Sequence, residues 1–376
     1  MRTKRETLYD KAYYRIERFI YDSFLSWNCR KSLRGIKFGP EFHRAYREKV
    51  VPYWKQFGVR PGKLWYKHYY SQVGVVDPRY IPNYIHNNKV VPYFDNPIYE
   101  RQMEDKNLYS ILFPHLHRPE TIFKHFSSTI FNSAPESYCT DDFTPIPREE
   151  AIARCLAGGR FIIKPTRDTG GGADVRAFSA EDGEAAIAAL LDSYAGVDYI
   201  VQRFVSQHRS LAEFNSNTLN TIRVMTLVYR DRAYLLAGIV RIGAPENDVD
   251  NIAKGGYEVG IHLEDGTLKR TAFTYKDGLG AEQTAAGKVF EGFRIPSWDA
   301  IRTTALETAL RVPHLKLIGW DFAVDEDGNV VLIEINCHFA QTQESNGPTF
   351  GDMTDEILAE VFQDRMKKKH IDRKQG

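Results

Sequence analysis

The chain has 376 residues, of which 50 are Lys or Arg and 49 are Asp or Glu, for a formal net charge of +1. That length accommodates two or three domains with a sizeable core, and the charge balance argues against a nucleic-acid binder working by bulk electrostatics. The cysteines Cys29, Cys139, Cys155 and Cys337 lack the paired spacing of a zinc site or redox couple and read as free thiols; with no secretory signal and no apolar run near the roughly 20 residues that span a bilayer, a cytoplasmic location is expected.

In chain order, residues 9–27 place Tyr9, Tyr13, Ile16, Phe19, Ile20, Phe24 and Trp27 at near-helical spacing, with Arg15, Glu17, Arg18 and Asp22 between them. This amphipathic helix either docks on the body of the protein or, with Arg30, Lys31, Arg34 and Lys37 behind it, makes peripheral contact with an anionic membrane. Docking is the expectation. From Val51 to Pro97 the density of Pro, Tyr and Trp argues against long regular elements, so residues 1–100 are expected to form a cap region around that one helix. No internal repeat or low-complexity tract is evident. Residues 98–113 resume helical periodicity and carry Lys106 after an acidic pair.

Strand-like pieces follow around Thr121 to Phe131. A helix is expected from Pro147, with Ile152, Cys155 and Leu156 inward and a stop at Gly158 and Gly159. The run FIIK, 161–164, is a short buried strand ending in a charge. Between it and the strand from Val175 to Phe178 lies PTRDTGGGAD, whose Gly170, Gly171 and Gly172 let backbone N–H groups approach an anion. Alone, that loop reads rather as a flexible hairpin tip, and it lacks the Gly-Lys-Ser or Gly-Lys-Thr of a P-loop. A helix with Ala186, Ile187, Leu190, Leu191 and Tyr194 inward precedes the buried strand YIVQRFV, 199–205.

Two longer strands, joined by a turn at Asp231 and Arg232, carry Arg223 and Arg241 inside apolar runs, where a bare guanidinium needs an anionic partner. A loop with Asn251 and Lys254 before two glycines comes next, then a helix from Ser297, its N-cap, to Arg311. The runs Leu315–Val324 and Val330–Ile335 read as a hairpin around Asp327 and Gly328. Alternation puts Glu334 and Asn336 on one face and Val331, Ile333 and Ile335 on the other. A two- or four-residue loop would set Asp321 opposite Glu334, whereas a five-residue loop would flip the pairing. In the first case two carboxylates and an amide converge, an all-oxygen set suited to Mg²⁺, although acids that meet water or an Arg fit the pattern too. A helix from Asp352 to Met366 and a basic tail close the chain.

The ordered set WYKHYY, PRYIPNYI, EDKNLY, FIIKPTRDTGGG, NTIRVMTL and LIEIN resembles the ATP-grasp superfamily, and its sugar-transfer associated branch most closely, over roughly residues 50–365. The resemblance implies an α+β fold in which two subdomains with antiparallel or mixed sheets clasp ATP, beside the N-terminal accessory region. Nucleotide-binding subdomains would span 101–205, the catalytic subdomain 206–369 and the basic tail 370–376. On that resemblance Lys164 reaches the α- and β-phosphates, with Lys106 nearby, and Gly170, Gly171 and Gly172 close over the phosphates. Gln202 and the backbone of Phe204 and Val205 meet the adenine edge. Asp321, Glu334 and Asn336 hold two Mg²⁺, for which Mn²⁺ can substitute, and Arg223, Arg241, Asn251 and Lys254 line the γ-phosphate and acceptor site. Cys337, His338 and Phe339 stand where many relatives have small or Pro-containing residues, which reshapes the acceptor pocket.

The implied activity is that of an ADP-forming carboxylate–amine ligase working through an acyl phosphate, with small-molecule acid and amine substrates such as a sugar acid and an amino acid or peptide. The rivals are a kinase using the same cradle and a module that binds nucleotide without turnover. Oligomeric state is not legible from the sequence.

Overall fold

The computed structural model describes residues 4–127, 136–167, 174–244, 255–274, 278–337 and 341–363. Two antiparallel sheets dominate it. The smaller contains β1 (Thr121–Phe126), β2 (Ser137–Cys139), β3 (Pro145–Ile146), β4 (Arg160–Pro165), β5 (Arg176–Ser179) and β6 (Tyr199–Arg203), in the order β3-β2-β1-β6-β4-β5. The larger contains β7 (Thr221–Tyr229), β8 (Arg232–Ile242), β9 (Tyr257–Ile261), β10 (Leu268–Thr274), β11 (Gly278–Ala281), β12 (Leu317–Val324) and β13 (Val330–Asn336), in the order β11-β10-β9-β8-β7-β12-β13.

The small sheet packs Phe123, Phe161, Ile163 and Val201 against the helices Arg148–Leu156 and Glu184–Asp192 through Ile152, Cys155, Ile187 and Leu191. Leu156, expected inside, is 37 % exposed. On the large sheet, alternation sends Ile222, Val224, Val240 and Phe322 to one face, under Trp298, Ile301 and Ala305 of the helix Trp298–Ala309. The opposite face is divided along its length. At one end Met225, Leu227 and Leu317 lie beneath the N-terminal helices, and at the other the same face carries Arg223 and Asp321.

Several local expectations are corrected. The β7–β8 turn falls on Arg230 and Asp231, both at positive φ, one residue earlier than the sequence suggested. Ser297 makes no side-chain cap; its hydroxyl donates instead to the Gly328 carbonyl at 2.6 Å, tying the β12–β13 loop to the helix start. Residues 98–113 form only short turns of helix, Glu100–Met103, Lys106–Leu108 and Tyr109–Leu112. The C-terminal helix is Thr354–Val361, preceded by a 3₁₀ turn.

The cap is more helical than its prolines suggested. Tyr46–Val50 and His86–Val90 are π turns, each running into a short helix with Pro52 or Pro92 in its first turn. A helix-interior proline lacks an N–H and collides with the carbonyl four residues back, and a π turn just before it widens the ladder to make room. Both sites read KVVPY, at 49–53 and 89–93, a short internal repeat where none was expected.

The hairpin carries the most consequential correction. Val324 pairs with Val330, so the loop has five residues, the length expected to separate Asp321 from Glu334. Yet Asp321 does pair with Glu334. Phe322 faces Leu332, and the ladder slips at Ile333, a bulge that absorbs the extra residue. Leu332 and Ile335, three apart, therefore both enter the core, in place of the expected Val331, Ile333 and Ile335 set.

Candidate active site

The bulge sets up a row of charged groups across five strands of the large sheet. Glu334 on β13 pairs with Asp321 on β12, and Asp321 pairs with Arg223 on β7. One strand further, Arg241 on β8 pairs with Thr221, two residues from Arg223 and on the same face, and with Glu258 on β9. Cross-strand partners share a face, so this ladder arithmetic alone aligns the groups.

Asp321 is wholly buried and saturated. Its Oδ1 accepts from Arg223 Nε at 2.6 Å, and its Oδ2 accepts from Arg223 Nη2 at 2.7 Å, Arg241 Nη2 at 2.7 Å and Asn336 Nδ2 at 3.2 Å. A buried carboxylate is tolerable only with such pairing. Thr221 Oγ1 accepts from Arg241 Nε at 3.0 Å and so fixes the second guanidinium.

Glu334 faces Lys106, with Nζ 3.0 Å from Oε2, and Arg223 at 4.0 Å. Burial works against its charge, but Lys106, Arg241 and Arg223 together outweigh it and hold the carboxyl well below the usual range. Lys106 comes from the segment Glu104–Tyr109, which grips β13 twice more. The Tyr109 hydroxyl accepts from Ile335 N–H at 2.9 Å and a Glu104 carboxylate oxygen accepts from Cys337 N–H at 2.7 Å. Sequence reasoning missed both; their only signal was EDKNLY as a unit.

From the other sheet, β4 brings Lys164. Its side chain is buried, and its Nζ makes no hydrogen bond or ion pair among the described residues. Burial, then the charge of Lys106, pull it down to about 8, with Glu334 opposing. Gln202, on β6 beside β4, donates to the Pro119 carbonyl at 3.4 Å. The Phe204 amide donates to Arg160 O at 3.0 Å, and the Arg160 guanidinium lies over the Phe204 ring. That takes the Phe204 N–H out of the expected adenine contact, whereas the Val205 amide has no hydrogen bond among the described residues.

Gly170, Gly171, Gly172, Asn251, Lys254, His338 and Phe339 lie outside the described residues. A further residue, unnoticed in the sequence, belongs to the row: Glu258, whose carboxyl is pushed up to about 7 by burial and by Glu344, against Ser345, Arg223 and Arg241. It sat in an ordinary alternating strand, with no local mark.

Among the described residues no three or more His, Cys, Asp or Glu are grouped as a metal site. The oxygen donors available are Glu334 and the Asn336 amide oxygen; Asp321 can join them only by exchanging one of its guanidinium partners. Such a partial set fits Mg²⁺, which keeps water and substrate phosphates in its shell.

A family model for sugar-transfer associated ATP-grasp proteins matches residues 92–349. The chain belongs to this family. Its two facing antiparallel sheets, with the helical N-terminal region alongside, are an α+β ATP-grasp fold. Among solved structures, the D-alanyl-alanine synthetase A of Vibrio cholerae aligns at 15 % identity over 73 % of this chain and 68 % of its own, with a TM-score of 0.41. The ATP-grasp ligase PsnB with its minimal precursor aligns at 15 % over 72 % and 63 %, TM-score 0.39. The biotin carboxylase domain of the Hydrogenobacter thermophilus 2-oxoglutarate carboxylase aligns at 12 % over 74 % and 51 %, TM-score 0.43. This member of the ATP-grasp family thus spans about half to two thirds of the length of these structures, and at such identities the likenesses say nothing of its substrates. No curated protein matches it in sequence.

Proposed function

We propose that the chain is an ATP- and Mg²⁺-dependent carboxylate–amine ligase that forms an amide through an acyl phosphate and releases ADP and phosphate. The observation that carries the reading is the gathering of Lys164, Lys106, Arg223 and Arg241 around Asp321 and Glu334, with Lys164 buried and unpaired among the described residues. Four cations against two carboxylates and the Glu258 carboxyl, itself pushed up to about 7, leave an excess of positive charge that calls for a polyanionic guest, and a triphosphate is one.

In this reading Lys164 and Lys106 bind the phosphate chain, with Gly170, Gly171 and Gly172 over it, and Gln202 and the Phe204–Val205 segment, through its remaining backbone groups, hold the adenine. Glu334, Asn336 and, after exchange, Asp321 hold the Mg²⁺. The bound metal neutralises charge as the γ-phosphoryl moves to the acid. Arg241 and Arg223, with Asn251 and Lys254, hold the acceptor carboxylate and then the tetrahedral oxyanion left by amine attack. The attacking amine must shed a proton. Glu258, near neutrality and beside Arg241, is placed to accept it. The family's association with sugar transfer supports a sugar acid, joined to an amino acid or peptide.

The test is turnover across acid and amine pairs, measuring ADP and phosphate together. Matched release of both, dependent on acid and amine, supports the ligase. AMP release overturns the acyl-phosphate route, ADP without free phosphate indicates a kinase, and ATP binding without turnover indicates a binding module.

A further inference from the structure

The helix Lys4–Ser32 docks on the body of the protein, but with the wrong face for an ordinary amphipathic helix. Over residues 14–22 its inward side is polar, while further on Leu25 and Cys29 pack on the core of the cap. Tyr14 donates to the Asn87 carbonyl at 3.0 Å, Asn87 donates to Asp22 at 3.0 Å, and Asn88 also bonds Asp22. Arg18 is buried between the rings of Tyr14 and Tyr21, 4.0 Å from Glu100.

Its apolar side faces out. Ile16, Phe19, Ile20, Phe24 and Trp27 follow at helical steps, from 53 % exposed at Trp27 to 73 % at Phe19, a stripe roughly 17 Å long, with Tyr13 at its edge accepting from Arg101 Nη2 at 2.8 Å. A continuous apolar patch of this kind marks an interaction surface. Arg30 and Lys31 extend the same stripe at three and four residues past Trp27, and Arg34 and Lys37 follow, all exposed. From residue 12 onward the acids of the helix are Glu17 and Asp22, which pair with Arg101 and with the two asparagines.

We propose that this face docks on an anionic membrane surface, the helix lying in the interfacial plane with Ile16, Phe19, Ile20, Phe24 and Trp27 among the acyl chains and Arg30, Lys31, Arg34 and Lys37 on the lipid headgroups. Charge complementarity argues for that occupant: an apolar stripe ending in clustered cations, with Glu17 and Asp22 tied to Arg101, Asn87 and Asn88, matches an anionic interface. The helix lies on the bilayer in this proposal; among the described residues no helix is long and apolar enough to cross one. This inference is independent of the reaction proposed above.

The experiment is flotation of the full chain with phosphatidylserine–phosphatidylcholine vesicles and with phosphatidylcholine alone. Binding is expected to the anionic vesicles, weakened by salt. Trp27 is the exposed one of the chain's tryptophans, Trp54, Trp65, Trp298 and Trp320 being buried, so the vesicles should blue-shift emission in the wild type and not in Trp27→Phe. Arg30→Gln, Lys31→Gln and Arg34→Gln together should weaken binding about a hundred-fold, from roughly five-fold per basic residue. Phe19→Ser with Ile20→Ser should weaken it at least as much, with thermal unfolding unchanged. Absence of flotation with anionic vesicles overturns the proposal, as does binding that survives both sets of substitutions. So does a dimer of the wild-type chain that Phe19→Ser with Ile20→Ser dissolves while vesicle binding stays absent, for then the occupant is a second copy.

Discussion

Asp321 and Glu334 are cross-strand partners although five residues separate their strands, because Ile333 bulges out of the ladder between Phe322 and Asp321. Without that slip Ile333 would stand opposite Asp321 and the carboxylates would point to opposite faces.

Deleting Ile333 should therefore spare the site. Removal of the extra residue leaves Phe322 opposite Leu332 and Asp321 opposite Glu334, with Ile335 still in the core. Turnover within a few-fold of wild type is expected, against near-complete loss in Glu334→Gln. Loss of turnover in the deletion, with the fold intact by circular dichroism, would refute the role given to the bulge.

Arg223→Ala should destabilise the chain by about 3–5 kcal/mol, since it strips a wholly buried carboxylate of its bidentate partner. The double change Arg223→Met with Asp321→Leu should restore much of that stability and none of the activity. Urea unfolding followed alongside turnover separates the two effects.

Tyr109→Phe should cost roughly 1–3 kcal/mol, because the buried Ile335 N–H loses its acceptor. Turnover should also fall as the end of β13, with Glu334 and Asn336, loses an anchor. An unchanged urea midpoint would show that another acceptor replaces the hydroxyl.

Lys164 gives two pH signatures of opposite use. Its folded pKa lies near 8, below the ordinary 10.5, so between those values the unfolded chain binds the additional proton. Stability is reduced below pH 8 and rises as pH climbs from about 8 toward 10.5, an increment that Lys164→Met should lack. Affinity for ATP should run the other way and weaken as pH passes 8, with that dependence lost in Lys164→Arg, which stays charged. Calorimetric titration with ATP on either side of pH 8 measures it.

Chelation of divalent ions should abolish turnover, and Mg²⁺ should restore it. The requirement for Mg²⁺ should rise in Asn336→Ala, which loses an oxygen donor while Glu334 remains. An equal Mg²⁺ dependence in that variant and the wild type would remove Asn336 from the metal set.

What the sequence determined by itself is local. Two-residue alternation in LIGWDFAV and VVLIEIN marked β12 and β13, and charged residues inside apolar runs marked Arg223, Arg241, Asp321 and Glu334 as needing partners, since a buried charge cannot stand alone. The ordered motifs gave the family. Tertiary structure decided which partners those charges took: Asp321 went to both arginines, Glu334 to Lys106 from 228 residues earlier in the chain, and Glu258 joined the row through β9. It also decided the orientation of the first helix. The hydrophobic period reveals that a helix has two faces, but which one turns inward depends on what the body offers, and here it offers Asn87, Asn88 and Glu100 to residues 14–22 and an apolar seat only to Leu25 and Cys29 beyond them. Register and docking are sums over contacts between remote segments, and no window of neighbouring residues contains them.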